Sequence, residues 1–199
     1  MKKLNLLLSF LLIITGFSLN AQQNVKVGDV YTFEDNTQGV VFYIDEEGRA
    51  LAVSLDQEKR RWEEETNFVY CQDIVSIANE KKADLALNVG LGKSNTSYAI
   101  QQLGERKAPA CRYSRNNGAE WYLPSAGELF YLMTNANLYG DIDKSLEAAG
   151  GKKLYGWYWT SSEYNNGEAW RIAHNGKTKR CSKLATRIYV RAIRMFFIN

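Results

Sequence analysis

An α+β fold is what the order of periodicities along this 199-residue chain predicts. Apolar residues alternate with a period of two near the start, follow helical spacing through the middle, and alternate again near the end. Aromatics make up 13% of the chain and there are only two prolines, a composition of packed globules rather than disordered stalks. No repeat, low-complexity tract or linker divides it. Residues 22–199 are therefore expected to form a single globular domain, large enough to bury a core without staples.

Val27 to Phe33 reads as a short first strand. Gly39 to Ile44 is a second, strongly apolar one. Asp45-Glu46-Glu47-Gly48 is turn chemistry, and Arg49 to Leu55 returns, so residues 40–55 form a hairpin. From Thr66 the period changes. Cys71, Ile74, Val75 and Ala78 fall on one helix face, capped by Thr66 or Asn67. Gly90 to Gly92 breaks the chain. Asn95 starts a helix with Ala99, Ile100 and Leu103 on one side, ended by Gly104. Ala108 to Ser114 is a helical turn or two.

Ser125-Ala126-Gly127-Glu128 has the form of a capping box, with Pro124 just before it. Leu129, Leu132, Met133 and Ala136 line the helix that follows. Residues 137–155 read as irregular. Trp157 to Ser161, Ala169 to Ala173 and Arg187 to Phe197 read as strands. The expectation is an N-terminal hairpin and C-terminal strands in an antiparallel sheet, with two or three helices.

The N-terminus has the form of a secretory signal. Lys2 and Lys3 precede an apolar run from Leu4 to Ile14, and Asn20-Ala21 offers a cleavage site after residue 21. The run is too short for a spanning helix, and no other stretch would span a bilayer. Export to the periplasm, the cell surface or the medium is expected. No cysteine follows the run to take a lipid. Three cysteines, Cys71, Cys111 and Cys181, leave three pairings open, or none. Cys71–Cys111 is favoured because both fall in helix-like segments.

Loss of residues 1–21 leaves 23 basic against 22 acidic residues, so net charge names no partner. Distribution is more informative. No Asp or Glu follows Glu168, and the tail carries Arg171, Lys177, Lys179, Arg180, Lys183, Arg187, Arg191 and Arg194. Such a segment can set up a positive field on a nearly neutral protein.

Three stretches carry a family resemblance: Trp121-Tyr122-Leu123-Pro124-Ser125 with Glu128-Leu129, Tyr158-Trp159-Thr160-Ser161-Ser162-Glu163, and Val190-Arg191-Ala192-Ile193-Arg194. Gly39 to Asp45, Gly92 to Thr96, Ala110-Cys111 and Trp170 join them in order. The chain resembles the Lcl C-terminal-like domain family, found at the end of a secreted bacterial collagen-like adhesin and in many exported proteins. That family looks related to C-type-lectin-like folds. The resemblance implies a mixed domain whose N- and C-terminal strands pair, with a loop-rich face after the second stretch. It also implies binding of sulfated or otherwise anionic polysaccharides, or of surface ligands. Function still has to be argued from the site.

The candidate site is the segment from Glu163 to Lys183. Its ligand-binding candidates are Tyr164, Asn165, Asn166, Trp170, Arg171, His174, Lys177, Lys179, Arg180 and Lys183. Aromatic faces stack on sugar rings, amides read hydroxyls, and Arg or Lys pairs with sulfate or carboxylate. The plainer alternative makes Trp159 and Trp170 core residues and the lysines a solvated face. Arg191 and Arg194 lie three apart in a strand and point to opposite faces, so they form no joint patch. Arg191 is expected to be buried against a carboxylate such as Glu128 or Glu163.

Calcium would draw on Glu163, Asn165, Asn166 and Glu168, fewer oxygens than the ion takes, so no metal is expected. A lone His174 without a nucleophile elbow makes a poor triad. Zinc spacing and a phosphate-cradling loop are missing. No catalytic residue and no cofactor is expected. The partner is expected to be a glycan or a surface protein, not nucleic acid. The alternatives are an envelope protein-interaction or structural module and an oxidoreductase of the formylglycine-generating type. An exposed patch of Tyr158, Tyr164 and Trp170 would favour the former. The latter requires Cys111 beside Cys181.

Overall fold

The computed structural model describes residues 24–65, 85–139 and 141–198. The expected signal segment, the helix expected around Cys71–Ala78 and its capping residues lie outside the described residues, as does Cys71 and so its expected pairing with Cys111. No disulfide joins Cys111 to Cys181.

The order is β1 Val30–Thr32, β2 Gln38–Ile44, β3 Arg49–Ser54, β4 Glu58–Lys59, α1 Leu91–Leu103, α2 Pro109–Ser114 and β5 Trp121–Tyr122. It continues with α3 Ala126–Tyr139, α4 Asp141–Ala148, β6 Trp157–Glu163, β7 Glu168–Ala173, β8 Thr178–Ser182, β9 Tyr189–Val190 and β10 Ile193–Phe197. Two five-stranded sheets result, ordered β1-β2-β3-β10-β5 and β4-β9-β6-β7-β8. Pairing is antiparallel throughout, apart from one parallel contact between β6 and β9 at Tyr158 and Tyr189. The fold is mixed α+β, as the periodicity predicted.

The expected hairpin is β2–β3. Asp45 closes it: its Oδ1 accepts the Glu47 and Arg49 N–H groups at 3.0 and 2.8 Å. Gly48 takes a φ of 77°, which a side chain would resist. The C-terminal strand β10 pairs with β3 from Ile193↔Val53 to Phe197↔Arg49, so the two ends of the domain share one sheet.

Several expectations are corrected. α1 begins at Leu91 rather than Asn95, with Gly90 as its N-cap, so Gly90 to Gly92 opens a helix rather than breaking the chain. The stretch read as irregular holds α4, whose Ile142 and Leu146 are buried. Asp143 and Lys144 on its polar side mask that spacing. Four helices stand among the described residues, more than the two or three expected.

The single strand expected over 187–197 is two short strands in different sheets. The chain crosses between the sheets at Arg191 and Ala192. Arg191 is 1% exposed. It donates to the Ser54, Leu55 and Lys152 carbonyls at 2.9, 2.8 and 2.7 Å, and to Gln57 Oε1 at 2.9 Å. Its partners are therefore carbonyls, not the carboxylates expected. A guanidinium presents donors in a rigid fork, and here the fork ties the ends of several segments together. Arg194 leaves on the other face. Its guanidinium lies 4.0 Å above the Phe33 ring and 2.6 Å from Asp35. The Thr37 hydroxyl, then the Thr37 N–H and Arg194, hold the Asp35 carboxyl down at about 2.

One apolar cluster joins inner positions of the first sheet (Val40, Phe42, Leu51, Val53, Ile193) to Tyr158, Trp170 and Ile172 of the second, through Leu129, Leu132 and Met133 of α3. A second cluster packs Trp62, Trp159, Val190 and Ala169 against α1 and α2. The expected core role of Trp159 and Trp170 holds, at 0% and 4% exposure.

The capping box forms as read. Ser125 N–H donates to Glu128 Oε2 at 2.8 Å, and Glu128 N–H donates to Ser125 Oγ at 3.3 Å. Glu128 does more than cap. It also accepts Gly90 N–H, Gly92 N–H and the Tyr122 hydroxyl, so it latches the start of α1 to the start of α3. Gly92 is required for this approach, because a Cβ there would lie 2.5 Å from the carboxylate.

Burial raises the Glu128 pKa above the ordinary glutamate value, against the pull of these hydrogen bonds. A carboxyl raised in the folded state adds stability at low pH and loses it as pH climbs through the raised value. Glu128→Gln, uncharged at every pH, is expected to flatten that part of the pH profile. It should also cost about 2 kcal/mol, because its amide NH2 faces backbone donors. Urea unfolding of both proteins between about pH 4.5 and 8 checks this, the window opening near the unperturbed glutamate pKa.

Candidate functional site

The β6–β7 and β7–β8 turns decide what the basic segment looks like in space. Asn165 Oδ1 accepts the Gly167 and Glu168 N–H groups, each at 2.9 Å, and this side-chain turn lets β7 return along β6. Asn175-Gly176 closes the next hairpin, with Gly176 at φ 78° and Ala173 N–H bonded to Lys177 O at 2.8 Å. The strand expected at Ala169 to Ala173 is β7, whereas the stretch after it, expected to be loop, also holds a strand, β8, at the edge of its sheet.

Strand alternation then sorts the candidates. Trp170 pairs with Arg180 and Ile172 with Thr178, so Trp170, Thr178 and Arg180 share a face. Tyr164 joins them from the end of β6. Its ring meets Trp170 edge-on, with centroids 5.5 Å apart at 89°. The Arg180 guanidinium lies 4.5 Å above the Tyr164 ring. Its Nε is 3.8 Å from Glu168, too far to consume its hydrogen-bonding capacity. Tyr164, Trp170, Thr178, Lys179 and Arg180 line a groove of about 630 Å³. The Trp170 indole N–H is buried without a partner.

Four of the ten candidates therefore meet in one concavity: Tyr164, Trp170, Lys179 and Arg180. Lys179 borders it from between Thr178 and Arg180. By register it pairs with Arg171, and both project toward the opposite face. There the Arg171 guanidinium sits 4.4 Å over the Trp157 ring. Arg171 is thus outside the groove. His174 is elsewhere too, its Nδ1 accepting Gly156 N–H at 3.2 Å and its ring stacked on Tyr155. Asn165 is engaged in its turn, while Asn166 and Lys177 are exposed and outside the groove lining.

Lys183 is the clearest correction. It is 0% exposed, with Nζ 3.2 Å from Glu63 Oε2 and in contact with Glu163 Oε1, under the Trp62 ring. It belongs to the interior, not to a ligand surface. Glu163 is likewise engaged inside the fold, away from any calcium set with Asn165 and Glu168. No cluster of three or more metal-ligating His, Cys, Asp or Glu side chains stands among the described residues.

Sequence reasoning missed Thr178. Two places before Arg180, it faces the groove only if residues 178–182 are a strand. Charge counting also overstated the field of the tail. Lys183 and Arg191 are buried and Arg194 pairs with Asp35, leaving Arg171, Lys177, Lys179, Arg180 and Arg187. The patch of Tyr158, Tyr164 and Trp170 that would favour a protein interface does not form, since Tyr158 is 0% exposed and Trp170 4%. A further groove, lined by Arg60, Glu64, Glu105, Arg106, Pro109 and Arg112, mixes charges of both signs.

Fold and site define a mixed α+β domain with an open aromatic and cationic groove on an edge hairpin. No family model matches the chain, and no curated protein matches it. Among solved structures it is similar to the crystal structure of a fimbrial protein from Bacteroides ovatus ATCC 8483, with a TM-score of 0.60 at 16% identity. The similarity covers 86% of this chain and 49% of that one, so the chain spans about half the length of that protein. At this identity the likeness is one of fold. No helix among the described residues is long and apolar enough to cross a membrane.

Proposed function

We propose that this protein is an exported, non-catalytic binding module of the Lcl C-terminal-like, C-type-lectin-like kind, and that it holds an anionic glycan in the β7–β8 groove. One observation carries the reading. The Arg180 guanidinium sits 4.5 Å over the Tyr164 ring, which in turn packs edge-on against Trp170. A guanidinium fixed by an aromatic face is pre-organised for sulfate or carboxylate, and little side-chain freedom is left to lose on binding. Thr178 adds a hydroxyl beside it. The fimbrial likeness supports a place at the cell surface. It also supports a second reading, in which the same hairpin contacts an envelope protein.

Retention on immobilised sulfated glycan at low salt tests the proposal. Joint replacement of Lys179 and Arg180 by alanine is expected to weaken binding roughly tenfold to a hundredfold, the range for lost hydrogen bonds to a charged group. Joint replacement of Arg106 and Arg112, cations remote from the groove, should leave retention nearly unchanged. Equal losses from both variants, or no retention of the wild-type protein, would count against a groove-specific glycan site. Recovery of the wild-type protein on native envelope proteins instead would favour the second reading.

A further inference from the structure

The buried Lys183 cluster has the composition and placement of a reactive centre. Nζ lies between two carboxyl groups, Glu63 and Glu163, and all three side chains are at most 1% exposed. The Trp62 ring covers it, 4.5 Å from Nζ, and is itself fully buried. The main chain holds the lysine on both sides. Its N–H donates to Gly167 O at 2.9 Å, and its carbonyl accepts the Trp62 and Glu63 N–H groups at 2.8 and 3.3 Å. The amine is thus fixed against its carboxyl neighbours, which is the condition under which effective concentration becomes very large.

The geometry points to an intramolecular cross-link, in which Lys183 Nζ condenses with the Glu163 carboxyl while Glu63 carries the proton. Glu163 takes part as the uncharged acid. The Lys183 ammonium gives a proton to the Glu63 carboxylate, and the neutral amine attacks Glu163 Cδ. Glu63 then passes its proton to the departing hydroxyl as the Cδ–O bond breaks, and regains one from the nitrogen. The products are an amide, one water and a protonated Glu63, so atoms and charge balance and no oxidant or co-substrate is needed. An apolar, water-excluding surround favours the uncharged reactants and products over the ions. The bond would close a 20-residue span, from the end of β6 to the segment after β8. That span contains the groove-bearing hairpin, so the cross-link would brace it.

Mass spectrometry of the folded, purified wild-type protein decides the matter without a variant. The expected mass is that of the chain less one water. Digestion should yield a branched peptide joining Glu163 to Lys183, with no tryptic cleavage after Lys183. Glu163→Ala should restore the full mass and cleavage at Lys183. Glu63→Gln should give a folded protein with the cross-link reduced at least tenfold, checked by circular dichroism. A wild-type protein of full mass, cleaved after Lys183, overturns the proposal, as does a water loss mapped to other residues.

Discussion

Arg191→Ala is expected to lower the unfolding free energy by about 4 kcal/mol or more, from several buried acceptors left bare at ~1–3 kcal/mol each. Arg191 serves the Ser54, Leu55 and Lys152 carbonyls and Gln57, all near the point where the chain passes between the sheets. Domains have only ~5–15 kcal/mol of stability in all, so this one change should leave a marginal or unfolded protein. Arg191→Lys keeps a charge but not the fork, and should recover only part of the loss. Burial lowers the guanidinium pKa, the sign of a cation held by hydrogen bonds rather than solvent. Urea unfolding followed by tryptophan fluorescence reads the effect. A midpoint for Arg191→Ala equal to that of the wild type would contradict the assigned role.

Lys183→Met is expected to cost about 3–5 kcal/mol, the range for buried carboxyl groups left without the basic partner they face. Methionine fills similar space, so the loss is that of the Lys183 nitrogen held between Glu63 and Glu163, together with its proposed link to Glu163, and the Trp62 contact is a smaller part. Adding Glu63→Gln and Glu163→Gln to the methionine variant removes the stranded charges and should return much of the stability. Thermal unfolding of the single and triple variants separates the two. A Lys183→Met protein as stable as wild type would mean the cluster contributes nothing net.

Both residues show what the sequence discloses and what it conceals. The β2–β3 hairpin was legible because its alternation and its Asp45–Gly48 turn are local. The capping box at Ser125 was legible for the same reason. The expectation that Arg191 is buried was sound, since an arginine between Val190 and Ala192 interrupts an apolar run. Its partners were not legible, because Ser54, Leu55 and Lys152 reach it only through tertiary folding. Lys183 was misread for a related reason. In a run of cations its charge marks it as surface, and it takes Glu163 together with Glu63, from 120 residues away, to make burial tolerable.

The groove was half legible. Tyr164, Trp170, Lys179 and Arg180 were named from residue chemistry. Thr178, and the exclusion of Arg171, follow from a register that no local pattern specifies, because β8 is polar along its length. The break between β9 and β10 was hidden likewise. Val190 to Arg194 reads as one strand, and only competition between the two sheets divides it.

The most direct test is an NMR titration of the folded protein with a sulfated oligosaccharide, followed through backbone amides and tryptophan indoles. Perturbations should centre on Tyr164, Thr178, Lys179 and Arg180. Arg180→Ala should abolish these shifts. Perturbations confined to Arg60, Arg106 and Arg112, or none at all, would contradict a ligand site in the β7–β8 groove.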